Sequence, residues 1–150
     1  MGNKCFEDEF VEIQAEWIEL AAEAVGNTVV DKICAYVSME KGHFFMPDVF
    51  FVVDNRVVAK ENVITPYRVL SAFMDQYSDS MLKMFRLCES YERPCPTEFK
   101  LIYDMNRETL EAKYQYEPVV DWNPRSDKNL HAPFEEWFAE IQQSLEPVAK

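Results

Sequence analysis

The side chains best suited to chemistry are few and poorly spaced for it. His43 and His131 fall in a turn and a loop. Neither belongs to a His-x-x-x-His or Glu-x-x-His spacing, which would set two ligands on one helix face. Cys5, Cys34, Cys88 and Cys95 contain no Cys-x-x-Cys pair, so the short, regular offsets of a zinc site are missing. A nucleophile pair of Cys34 with His43 has no support in the spacing. The 27 Asp and Glu residues produce close carboxylate pairs by chance alone, so an acid/base pair stays open without being indicated. Gly2, Gly26 and Gly42 are the only glycines, and they cannot spell a Gly-x-Gly-x-x-Gly turn or a Gly-x-x-x-x-Gly-Lys-Ser/Thr loop. No catalytic residue, no cofactor and no metal ligand is expected.

Charge is the stronger signal. Over 150 residues, 15 Lys and Arg stand against 27 Asp and Glu, a formal net charge of −12. Such a surface is repelled by nucleic acid and by anionic membrane, and it suits a basic protein partner. Four carboxylates, Asp104, Glu108, Glu117 and Asp121, gather around a late hairpin and could form one acidic rim that steers a partner in. Trp122, between Asp121 and Asn123, either plugs the sheet or anchors an interface. Glu12, Glu16, Glu19 and Glu23 recur at helical spacing and form an acidic ridge, either solvated or a docking face for Lys and Arg.

With 48% hydrophobic and 14% aromatic residues, the chain has ample material for one folded core. No run of about 18 apolar residues is present to span a bilayer. The start lacks a basic, apolar leader, and in Met1-Gly2-Asn3-Lys4-Cys5-Phe6 a Phe occupies the place where a myristoylation signal wants Ser or Thr. Free thiols in a reducing cytoplasm are the expectation.

These residues must be positioned by a small set of elements. Phe6, Phe10, Ile13, Trp17, Leu20 and Ala24 predict a helix from Phe6 to Val25, stopped at Gly26-Asn27. Val29 to Val37 reads as a strand closed by Glu40-Lys41-Gly42. Phe44 to Asp54 reads as a second strand, with Pro47-Asp48 marking an edge or bulge, and Asp54-Asn55 turns into a third, Arg56 to Lys60. Thr65 as cap and Pro66 at the first helical position begin a long helix reaching Arg93, with Ser78-Asp79-Ser80 a place for it to fray or bend. Phe99, Leu101 and Tyr103, then Leu110, Ala112, Tyr114 and Tyr116, alternate across a Met105–Glu108 turn. They predict a hairpin with one face on the core and the other wet. Pro118 to Ala132 reads as a loop. Pro133 starts a last helix with Phe134, Phe138, Ile141 and Leu145 as its buried stripe. The expectation is a single α+β domain, order α-β-β-β-α-β-β-α, whose antiparallel sheet of about five strands joins a three-stranded meander to the late hairpin.

Four stretches resemble the YezG-type antitoxin (immunity) family: Phe50-Phe51-Val52-Val53-Asp54-Asn55-Arg56-Val57-Val58, the helical run Phe73 to Arg93, the strand Pro96 to Asp104 that follows it, and Leu110-Glu111-Ala112-Lys113-Tyr114-Gln115-Tyr116-Glu117. The Gly usual in both turns is replaced by Asn55-Arg56 and Asn106-Arg107. The resemblance implies neutralisation of a cognate bacterial toxin, commonly a nuclease domain, in the cytoplasm, without catalysis or cofactor. Size, acidity and element order also resemble a secretion chaperone, which would dimerise through the long helix and wrap an effector segment. A small enzyme is the third reading. Monomer or dimer stays open.

Overall fold

The computed structural model describes residues 5–40, 44–119 and 131–145. Helix α1 spans Phe6–Val25, as its periodicity predicts. Glu7, Asp8 and Glu9 in its first turn complement the positive end of the helix dipole. Gly26 ends it at φ 64°, its N–H bonded to the Ala22 and Glu23 carbonyls. Strands β1 (Lys32–Glu40), β2 (Phe44–Val53) and β3 (Arg56–Ala59) follow. Strand β1 starts later than the sequence suggests, because the β-favouring Val29 and Val30 belong to the connection; Val29 is 80% exposed. Asp54 and Asn55 both hold positive φ, 50° and 63°, and so make the β2–β3 turn without glycine.

Helix α2 spans Tyr67–Ser90 and runs unbroken through Ser78-Asp79-Ser80. It begins one residue later than expected. Pro66 sits at the cap position with an extended ψ of 178°, its carbonyl accepting from the Val69 and Leu70 N–H groups, and Thr65 makes no cap bond. The helix stops at Ser90, short of Arg93, because Glu92 adopts φ 53° and sends the Arg93 N–H back to the Cys88 carbonyl. Strands β4 (Glu98–Asp104) and β5 (Thr109–Gln115) form the predicted hairpin, and α3 (Ala132–Leu145) comes last.

All five strands make one antiparallel sheet in the order β3-β2-β1-β4-β5. The fold is α+β with three helices and the expected element order. Strand β1 lies at the centre and is buried on both faces. Its Ile33, Ala35 and Val37 meet α1 and α2 in the larger core, with Trp17, Phe99 and Leu101; the Trp17 and Phe99 rings lie edge to face at 5.1 Å. Burial of each such large side chain contributes about 1.5–3 kcal/mol. The opposite face is not simply wet. There Cys34, Tyr36, Phe50 and Val52 form a second core under α3, and Ile102 of the hairpin joins it. Trp137, absent from the predicted stripe, is the most buried anchor of α3, 4.9 Å from the Phe50 ring, while Phe134, Phe138, Ile141 and Leu145 pack around it partly buried.

Two buried tyrosines tie the sheet. The Tyr77 hydroxyl of α2 donates toward the Tyr36 and Asp48 carbonyls at 2.7 and 3.1 Å, and the Tyr36 hydroxyl donates to Glu98 at 2.6 Å on the other face. Pro47 behaves as its type demands. It pairs with Val37, on a stretch of β2 that β3 does not reach, since β3 covers only Phe50 to Val53. Beside it the Asp48 carboxylate accepts from the Val49 N–H at 2.8 Å and pairs with Lys60 at 3.0 Å.

Candidate functional site

The hairpin places the predicted rim carboxylates at its two ends. Asp104 closes β4, and one of its oxygens accepts both the Asn106 and Arg107 N–H groups at 3.0 Å, so Asp104 builds the turn. Those backbone donors, Arg107 first, hold its carboxyl below the usual range. Glu108 stands beside it, exposed, at φ 55°. Glu117 lies beyond the other end of β5; its carbonyl accepts from the Thr97 hydroxyl at 2.6 Å while its own side chain is exposed. Seven strand residues separate the two ends, about 23 Å at the usual rise. The carboxylates therefore bracket β5 and do not form one patch. Asp121 and Trp122 lie outside the described residues.

The predicted ridge on α1 divides in the same way. Glu16 turns toward α2, accepting from Lys83 at 2.9 Å and from Ser80 at 2.8 Å. Glu23 faces α2 as well, lining a groove with Arg68 and Gln76. Glu19 turns the other way, toward the hairpin, and Glu12 is exposed. Sequence spacing sets these four on one side of a helix but does not reveal which neighbour lies against each edge of that side.

Between α1 and β5 the structure shows what the sequence reading missed. Leu110, Ala112, Tyr114 and Tyr116 were expected to cover a core, yet β5 is exposed along its whole length and has no further strand at its outer edge among the described residues. Helix α1 covers only part of this strand. The Tyr114 hydroxyl bonds to Gln14, and its ring meets Phe10 and Phe99. On either side of this contact lies an apolar hollow. One, about 300 Å³, is lined by Ala15, Ile18, Glu19, Tyr103, Met105 and Leu110. The other, about 410 Å³, is lined by Phe6, Glu7, Phe10, Val11, Tyr116 and Arg93, whose guanidinium pairs with Glu7 at 3.0 Å. Of the nine large hydrophobics exposed among the described residues, five (Val11, Met105, Leu110, Tyr114 and Tyr116) fall along this seam. The available signal was position: the last strand of the last hairpin has no successor to pair with.

No known protein family and no curated protein matches this chain.

Its chemistry is therefore read from the surface. The seam offers apolar area, aromatic rings with polar tips, main-chain donors and acceptors along β5 that no strand pairs among the described residues, and carboxylates at both ends. In general such a set suits an added strand with basic flanks. The outward residues of α2 from Asp75 to Glu89, by contrast, are Asp75, Gln76, Asp79, Lys83, Arg86 and Glu89, a polar face, while Tyr67 at the start of the helix is 78% exposed. Among the described residues no helix is long and apolar enough to cross a membrane.

Proposed function

We propose that this chain is an immunity-type protein that binds a cognate basic toxin domain, of nuclease type, and occludes it. The supporting observation is the α1–β5 seam, an open strand edge with exposed Leu110, Tyr114 and Tyr116 between acidic ends on a molecule of charge −12. Long-range attraction brings the basic domain in, and a strand of the toxin pairs with β5 while its side chains enter the two hollows. A nuclease surface built to hold phosphate is complementary to such a site. The alternative role, a chaperone that dimerises through its long helix, would need an apolar outer face on α2, and from Asp75 to Glu89 that face is polar.

The test pairs the chain with a basic toxin domain, sought first in the neighbouring genes. Co-purification, loss of toxin activity and strongly salt-dependent association are expected. The triple variant Glu19→Lys, Glu108→Lys, Glu117→Lys should slow association about tenfold or more and flatten its salt dependence. Leu110→Asp should raise the dissociation rate. Unchanged affinity and salt dependence in both variants would overturn the assignment of the seam. Asp104 is left intact because its reversal would break the turn that it caps.

A further inference from the structure

Three sulfur atoms converge where the end of β1, the last turn of α2 and the segment before β4 meet. The Cys95 sulfur lies 3.4 Å from the Met39 thioether. The Cys88 and Cys95 thiols also contact each other, and Met39, Cys88 and Cys95 line one cavity of about 300 Å³ beside Glu40, Glu89 and Arg93. Met39 and Cys88 are buried, and Cys95 is half-buried. The left-handed Glu92 and the bond from Arg93 N–H to the Cys88 carbonyl fold the chain back, which brings Cys95 to Cys88. The Met39 N–H, bonded to the Thr97 carbonyl at 3.0 Å, fixes the third donor beside them. Arg93 is shared with the seam, where it lines the hollow beside Phe6 and Tyr116; the three sulfurs lie outside that hollow.

We propose that Met39, Cys88 and Cys95 form a three-sulfur site for Cu(I). Two thiolates and a thioether are soft donors, the set that selects Cu(I) over harder cations. Zinc would instead take four donors from Cys, His and carboxylate, with no place for a thioether. Among the described residues no three His, Cys, Asp or Glu side chains gather as such a set. Metal–thiolate bonds of about 2.3 Å put two sulfurs of a trigonal site about 4 Å apart, so the 3.4 Å pair needs only a small spread of flexible side chains. Binding exchanges the two thiol protons for one Cu(I), leaving a site of charge −1, with no change of oxidation state.

The test is anaerobic titration of the reduced full chain with Cu(I), in competition with a chromophoric Cu(I) chelator. One equivalent should bind and raise the thermal midpoint. Cys88→Ala and Cys95→Ser should each weaken binding by about 100-fold, and Met39→Leu, which keeps the volume, by about tenfold. Cys5→Ser should change nothing. Circular dichroism on each variant separates lost ligation from lost folding, and Met39→Leu carries the decision if either cysteine variant unfolds. No retained Cu(I), retention that depends on Cys5, or tighter binding of Zn(II) than of Cu(I) would overturn the proposal.

Discussion

The Tyr114 hydroxyl donates to the side-chain oxygen of Gln14 at 2.9 Å, joining residues 100 apart in the chain. Gln14 is 2% exposed, and its amide nitrogen donates to the Phe10 carbonyl one turn back at 3.1 Å. A polar side chain inside an amphipathic helix is thus satisfied at both ends, and the bond sets the distance between α1 and the strand edge. Tyr114→Phe leaves a buried amide oxygen unpaired and should cost about 1–2 kcal/mol. A double-mutant cycle with Gln14→Leu, followed by urea unfolding, should give a coupling of about 1 kcal/mol. Zero coupling would mean that the ring contacts alone hold the seam.

The Glu16–Lys83 pair makes the packing of α1 on α2 pH-dependent. Burial opposes ionisation of Glu16, but the bonds from Lys83 and Ser80 outweigh it, so its carboxyl ionises below the usual range. A carboxyl lowered in the folded state contributes stability above its unfolded value and loses it as pH falls through the folded value. Both side chains are partly exposed, so the contribution is at most about 1 kcal/mol. Lys83→Met should lower unfolding free energy near pH 7 and leave it close to wild type near pH 3. An equal deficit at both pH values would assign the effect to packing.

Of the seven tyrosines, Tyr36 and Tyr77 should not ionise while the chain is folded. Burial comes first in both cases, and the Glu98 carboxylate adds to it at Tyr36; both hydroxyls are pushed well above the ordinary value. Alkaline titration followed by phenolate absorbance should show a late component that appears only with unfolding. Tyr36→Phe should remove part of it and cost about 1–3 kcal/mol, because among the described residues Glu98 then keeps only Lys100, at 3.7 Å. Reversible ionisation of all seven below the unfolding transition would contradict the burial of this pair.

Trp137→Ala should cost about 3–5 kcal/mol by emptying the second core. Hydrogen exchange should then accelerate first in residues 132–145, while α1 and α2 stay protected by the larger core on the opposite face. Uniform acceleration would mean that the two cores unfold as one unit.

Where local physics decides, the sequence was legible. The bounds of α1, the Asp54-Asn55 turn, the proline at a locally open stretch of β2 and the late hairpin all follow from periodicity, backbone freedom and missing donors. What escaped depends on neighbours. Alternation in β4 and β5 could not show that the far face of the sheet carries its own core, nor that Trp137 would seal it. An apolar strand at the end of a sheet reads the same as one that covers a core, so Leu110 and Tyr116 were placed inside. Glu16 looked like its sister carboxylates until α2 lay beside it. Met39, Cys88 and Cys95 come from three separate segments and share no spacing to detect.

The two borders of the sheet differ in kind. On one side, a short β3, Pro47 and the Asp48–Lys60 pair deny an incoming chain a continuous ladder. On the other, β5 offers seven residues without interruption. Growth is therefore one-directional. A foreign strand can extend the sheet by one step, and two sister molecules can join back to back, but no third can add to the blunted sides that such a pair would present. The architecture permits capture at an open border while closing the route to fibres.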